Sequence, residues 1–155
     1  MIDFIEQGRK ISINTDLMST FESIGDLMYR SVQMNFIAGG RPNQWEGLQP
    51  LGEPSHLYKT GKLQESVQLK WTDNSATVYV DTARVPYAKI LHRGGTIKHP
   101  GSDKFQVFPY MGGMVYTHGT PPHDINIPAR PFMMFQEQDR IEIKNKLRNS
   151  IVVFQ

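Results

Sequence analysis

Four short phrases divide this 155-residue chain: Gly39-Gly40-Arg41-Pro42-Asn43-Gln44-Trp45, Thr60-Gly61-Lys62-Leu63-Gln64-Glu65-Ser66, Tyr87-Ala88-Lys89-Ile90-Leu91-His92-Arg93-Gly94-Gly95, and Ile127-Pro128-Ala129-Arg130-Pro131-Phe132. Glycine and proline in the first, third and fourth stop a helix or strand from running through. Each phrase sets an aromatic or apolar residue beside a long cation, a combination that fixes a loop and presents an anchor. Whatever regular structure the chain forms must therefore lie between these points.

Between them the periodicity is clear in places. From Asp16 to Phe36, Leu17, Phe21, Ile24, Met28, Val32 and Phe36 recur at steps of three and four, which predicts a helix with Asn14 or Thr15 as its cap and Gly39-Gly40 as its end. Residues 38–59 have no period and read as a binding arm. Trp45 within it either tucks onto its own domain or docks on a partner. Thr60 is placed to cap a short helix with Leu63 and Val67 turned inward. Val67, Leu69 and Trp71, then Val78 and Val80, alternate with polar residues around Asp73-Asn74-Ser75-Ala76, which predicts a hairpin. Pro86 opens a short helix through Arg93 with Tyr87, Ile90 and Leu91 as its apolar side, closed by Gly94-Gly95.

The stretch from Thr96 to Asp124 is rich in Gly, Pro and His, and its apolar pieces at 105–110 and 114–116 suit a small excursion hairpin about Met111-Gly112-Gly113. With residues 38–59, it is expected to be the most mobile part of a free subunit and to become protected on assembly. Pro128 and Pro131 demote the flanking apolar runs to edges or kinks. A second helix is predicted from Gln138 to Ser150, with Ile143, Leu147, Ile151 and Phe154 at helical spacing and Glu142 paired with Lys146. Residues 1–155 thus form one α+β domain, a small antiparallel sheet flanked by an N-terminal and a C-terminal helix, with long loops.

Charge bounds the function. Seventeen Lys and Arg against fifteen Asp and Glu are too nearly balanced to indicate a nucleic-acid binder. The charges are segregated, however: residues 1–30 hold five acids against three bases, and residues 84–104 five bases against one acid. This is either a pair of solvated faces or complementary rims between identical subunits. No cysteine is present, which excludes disulfides and thiolate chemistry and fits a reducing compartment. No apolar run reaches the roughly 18–20 residues of a membrane span, and Met1 to Lys10 lacks the apolar stretch of a signal peptide, so a cytoplasmic product is expected.

Catalytic readings find little support. His56, His92, His99, His118 and His123 show no metal-ligand spacing, and surface or hydrogen-bonded roles are the better reading. No paired acid and base, nucleophile elbow or phosphate-cradling loop occurs. Neither catalytic residues, cofactor nor metal is expected. Purified protein should carry no stoichiometric zinc, iron or manganese.

Taken in order, Gly39-Gly40-Arg41-Pro42 with Trp45 and Leu48, Thr60-Gly61 with Leu63 and Ser66, Tyr87-Ala88 with His92 and Gly94-Gly95, and Pro128 to Phe132 resemble the phage virion morphogenesis family. That family includes the tail completion proteins of Mu-like and related contractile-tailed phages. The resemblance spans roughly residues 15–150. Two departures are visible: Arg93 stands where a Gln-like residue is expected, and the last helix lacks the usual Ser or Thr cap.

The resemblance implies a structural virion protein, not an enzyme, acting at the head-tail junction to complete the tail and prepare it for the head. It is made in the host cytoplasm and ends in the virion. Implied partners are further copies of itself in a ring of undetermined size, six by family analogy, with tail tube or tail terminator proteins and the head connector; membranes and specific nucleic acid are not implied. Interaction residues are sought among Arg41, Pro42, Trp45, Tyr87, His92, Arg93, Arg130 and Phe132. Trp45 and the Pro42 loop are the expected anchor, and Arg130 and Phe132 the buttress of the core or subunit boundary. The alternatives are a head-side neck or minor capsid component, a basic DNA-binding module at the junction, and a hydrolase built on the loop histidines.

Overall fold

Helix α1 (Met18–Ile37) organises the molecule. In the computed structural model, which describes residues 2–6, 9–13, 17–45, 57, 61–110 and 112–154, one side of α1 carries a hairpin and another carries the C-terminal helix. Before it come β1 (Ile2–Glu6) and β2 (Arg9–Ile13). After it come α2 (Lys62–Glu65), β3 (Val67–Trp71), β4 (Ala76–Val80) and α3 (Ala88–Arg93). Strands β5 (Gly95–His99), β6 (Ser102–Tyr110), β7 (Gly113–Thr120) and β8 (His123–Ile127) precede α4 (Glu137–Ile151) and β9 (Val152–Phe154). The class is α+β, with helices near both ends and small antiparallel sheets.

The helix and hairpin follow their local patterns. Ile24, Leu27, Val32 and Phe36 are buried along α1, and Gly39 and Gly40 take positive φ to end it. Strands β3 and β4 pair antiparallel from Val67 opposite Val80 to Trp71 opposite Ala76. They lie on α1 at Gly25, where an added Cβ would stand 2.8 Å from Leu69 Cδ1, so a side chain there would make the Leu69 terminus shift. Trp71, the last residue of the alternating β3 pattern, is exposed beyond this contact.

Helix α4 packs on α1 through polar pairs. Thr20 Oγ1 donates to Ser150 Oγ at 2.8 Å, and Lys146, expected to pair with Glu142, donates to Ser23 Oγ at 2.9 Å. The start of α4 lacks a Ser or Thr cap, but Asp139 accepts the backbone N–H of Gln136 at 2.7 Å, so a carboxylate at the third helical position satisfies a donor of the first turn. Phe154 does not continue the helical stripe. It belongs to β9, which pairs with β2 in a three-stranded sheet ordered β1-β2-β9.

The largest departure is at residues 96–124, where a long loop was expected. The hairpin β6–β7 is present about its glycine turn, but it is carried on a second ribbon, β5–β8, with Gly95 opposite Ile127 and His99 opposite His123. Their partners lie about thirty residues apart with no shared local pattern, and backbone pairing holds a segment whose composition reads as loop. Of residues 38–59, the described part at 38–45 is a turn packed against α1. Asn14, Thr15, Leu48, His56 and Thr60 lie outside the described residues.

Candidate functional site

The four phrases converge on one place. At the end of α1, Gly40 N–H donates to Asn35 O at 2.8 Å and Trp45 N–H to Gly39 O at 2.7 Å, so the chain folds straight back. A Cβ at Gly40 would stand 2.6 Å from Asn43 O, which restricts this tight return to glycine. The reversal delivers Trp45 to the core, where it is only 8% exposed, and lays Arg41 along the helix it has just left.

Trp45 meets Phe36 edge-on at 6.1 Å between centroids, Phe36 meets Phe132 at 5.2 Å, and Phe132 meets the His92 ring edge-on at 5.1 Å. Leu63 of the second phrase and Ala88 of the third belong to the same core. The first, third and fourth phrases are thus joined through a row of rings, with the second packed beside it.

A polar lattice runs alongside. Arg41 donates through Nη2 to Ser31 O at 2.7 Å and Ser31 Oγ at 2.9 Å, and through Nε to Asn35 Oδ1 at 2.9 Å. Asn35, fully buried, donates through Nδ2 to Phe132 O at 2.8 Å and Met134 O at 2.7 Å. The Ser31 hydroxyl donates to Asp139, and Gln136 Nε2 donates to Arg41 O at 3.1 Å. A guanidinium and a carboxylate therefore meet through one hydroxyl, and each is placed by backbone on either side. Buried polar groups with this many partners fix geometry, because an alternative packing would leave several of them unsatisfied.

The third and fourth phrases are joined by backbone contacts. Arg130 N–H donates to Leu91 O at 2.9 Å, and at Gly94, with φ of 72°, a Cβ would stand 2.8 Å from Ala129 N. His92 Nδ1 accepts Met133 N–H at 3.4 Å. Burial lowers the His92 pKa from its ordinary value, and the neighbouring Arg93 charge lowers it further. Since the folded state holds the ring neutral, its contribution to stability is present above pH of about 6.5 and lost as pH falls through the lowered folded value. Thermal melts from pH 7.5 to 5 should fall less steeply for His92→Asn, which keeps an acceptor but does not titrate; parallel curves would remove His92 from the acid response.

This arrangement gives most of the expected interaction residues contacts within their own subunit. Of the two placements expected for Trp45, the structure shows it tucked into its own subunit's core, because the glycine turn carries it inward. Phe132 and Arg130, expected to buttress the core or the subunit boundary, are buried at 1% and 4% exposure, and Arg41 and His92 are partly covered and hydrogen-bonded within the subunit. Of the eight expected residues only Pro42, Tyr87 and Arg93 stand exposed. Tyr87, expected on the inward side of α3, faces out while Ala88 takes its place.

Ser31, Asn35, Gln136 and Asp139 were not anticipated. The signal available was Ser31 and Asn35, one turn apart within the apolar arc of α1.

Between the first and fourth phrases lies a cleft of about 210 Å³ lined by Arg41, Pro42, Asn43, Gln44, Trp45, Ala129, Pro131 and Met134. Its described lining has no carboxylate, imidazole, hydroxyl or thiol with which to do acid-base or nucleophilic chemistry. His99 and His123 stack at 4.8 Å, but His99 Nδ1 accepts Gly101 N–H at 3.1 Å and His123 Nδ1 lies 2.9 Å from Pro121 O, so these rings brace the ribbon turn. Among the described residues no three His, Asp or Glu side chains gather as metal ligands, and no helix is long and apolar enough to cross a membrane.

The exposed apolar surface lies elsewhere. On the ribbons, Ile97 stands opposite Ile125, and Val107 opposite Tyr116, which is 66% exposed, with Met114 beside them. On α1, Met34 and Ile37 are exposed near its end.

Residues 8–151 match the model of the phage virion morphogenesis family. No curated protein and no solved structure matches the chain.

Proposed function

Because this chain belongs to the phage virion morphogenesis family, its role is in building the virion, and we propose that it acts at the head-tail junction, completing the tail and preparing it to receive the head. Identical copies form a ring by heterologous contacts, each subunit offering one surface to the copy ahead and another to the copy behind. The ring halts tube growth and presents a face to the head connector. The observation that carries this reading is the separation of duties within the chain: Trp45, Leu63, Ala88 and Phe132 of the four phrases are spent on an internal core, while the β5–β8 and β6–β7 ribbons carry exposed apolar side chains of the kind an assembly contact uses.

Particles made without this protein test the proposal. Electron microscopy should find filled heads and tails that fail to join, and purified protein added to them should restore infectious particles. Normal joining without the protein would overturn the reading. Gold-labelled protein found on isolated tails supports the tail-side assignment, whereas label on isolated heads would favour a neck or minor capsid component. DNA retention that falls steeply with salt would favour a DNA-binding module instead; none is expected.

A further inference from the structure

Helix α1 and helix α3 carry opposite and equally spaced charges that have no ion-pair partner among the described residues. Glu22 and Asp26 are exposed four residues apart on α1, and Lys89 and Arg93 are exposed four residues apart on α3. Each pair spans about 6 Å along its helix, one turn. Among the described residues none of the four side chains makes an ion pair. The neighbouring bases are differently placed: Arg84 lies 3.7 Å from Glu65, Lys98 stands opposite Asp124 across the ribbon, and Lys104 follows Asp103. The surplus positive charge of residues 84–104 therefore concentrates on α3.

Each charged pair is followed along the chain by an exposed apolar step. Beyond Asp26 the exposed side of α1 reaches Met34 after about 12 Å and then Ile37. Arg30 intervenes, and its Nε donates back to Asp26 O at 3.3 Å. Beyond Arg93 the chain enters β5 and reaches the exposed rung of Ile97 and Ile125 within about 14 Å. Acid pair then apolar end, and base pair then apolar rung, make two surfaces that complement each other. Within one subunit α1 instead packs on β3, β4 and α4.

We propose that α3 and the base of the β5–β8 ribbon of one copy dock on the exposed side of α1 of a second copy, Lys89 and Arg93 against Glu22 and Asp26, and the Ile97–Ile125 rung against Met34 and Ile37. The two surfaces are different, so the contact is heterologous and can propagate around a ring. This rests on the assembly reading above and names the surfaces that it leaves open.

Charge reversal tests it in the full-length chain. The paired substitution Lys89→Glu with Arg93→Glu, or Glu22→Lys with Asp26→Lys, should weaken self-association at least ten-fold by sedimentation and reduce entry into particles. All four together should restore both to within about three-fold of wild type. Melting temperatures should stay near wild type, because the side chains are exposed. In assembled wild-type protein, carbodiimide should link Lys89 to Glu22 or Asp26 of another copy, and the absence of a native cysteine permits independent single-cysteine checks. Reversals that leave assembly unchanged would overturn this contact while the ring stands. One-sided loss without restoration by the fourfold variant would also overturn it. A protein that stays monomeric at every concentration and is absent from particles would instead defeat the ring reading itself.

Discussion

Trp45→Ala is expected to cost the folded subunit about 3–5 kcal/mol, the range for truncating a buried large aromatic, and to lower its melting temperature by roughly 10 °C for a chain of this size. The ring is 8% exposed and packs edge-on against Phe36 in the same cluster as Leu63, Val67 and Phe132. Its removal leaves a void beside a row of rings that cannot close without shifting α1 or the fourth phrase. Assembly should fail only in proportion to the loss of folded protein, so subunits that remain folded should still enter particles. Urea denaturation together with complementation of deficient particles distinguishes the two effects. A variant that melts like wild type yet fails to assemble would return Trp45 to the interface.

Asn35→Leu should be about as damaging, although it keeps the branched shape of the side chain and adds apolar surface. The substitution strips the donors from Phe132 O and Met134 O and the acceptor from Arg41 Nε, three groups that would then be covered without their present partner. Each such loss costs about 1–3 kcal/mol, so a total of roughly 3–5 kcal/mol is expected once partial relaxation is allowed. Asn35→Asp should not rescue: it can accept from Arg41 but sets a carboxylate against two carbonyl oxygens. Arg41→Ala combined with Asn35→Leu should cost less than the sum of the separate changes, because the two side chains share a bond. Denaturation midpoints for the cycle measure this, and strict additivity would mean that the lattice is not a unit.

Both expectations depend on structure that a linear reading could place only in part. The α1 helix was legible because burial of one helix face imposes a step of three and four, and the β3–β4 hairpin because a pleated strand with one covered face alternates at two. The glycine stops at residues 39–40 and 94 were legible for a related reason, since few other residues take positive φ at low cost. The order of the four phrases also sufficed to indicate the family. In each case the determining interaction is local, or is a face that a periodic pattern can report.

The direction in which the phrases point was decided by tertiary structure alone. An arginine in a Gly-Pro segment reads as exposed because guanidinium groups are seldom covered, yet Arg41 is turned onto Ser31 and Asn35 by the reversal at Gly40. Asn35 finds its carbonyl partners at sequence separations of 97 and 99 residues, where no local pattern can announce them. The β5–β8 ribbon likewise forms from backbone groups, which every residue carries and no composition reveals. Sequence thus determined which segments are regular and where they stop, through sterics and periodic burial. Only the folded chain decided which residues of the motifs are buried and which, like Lys89 and Arg93, stay exposed, because burial at a distance depends on which groups meet across it.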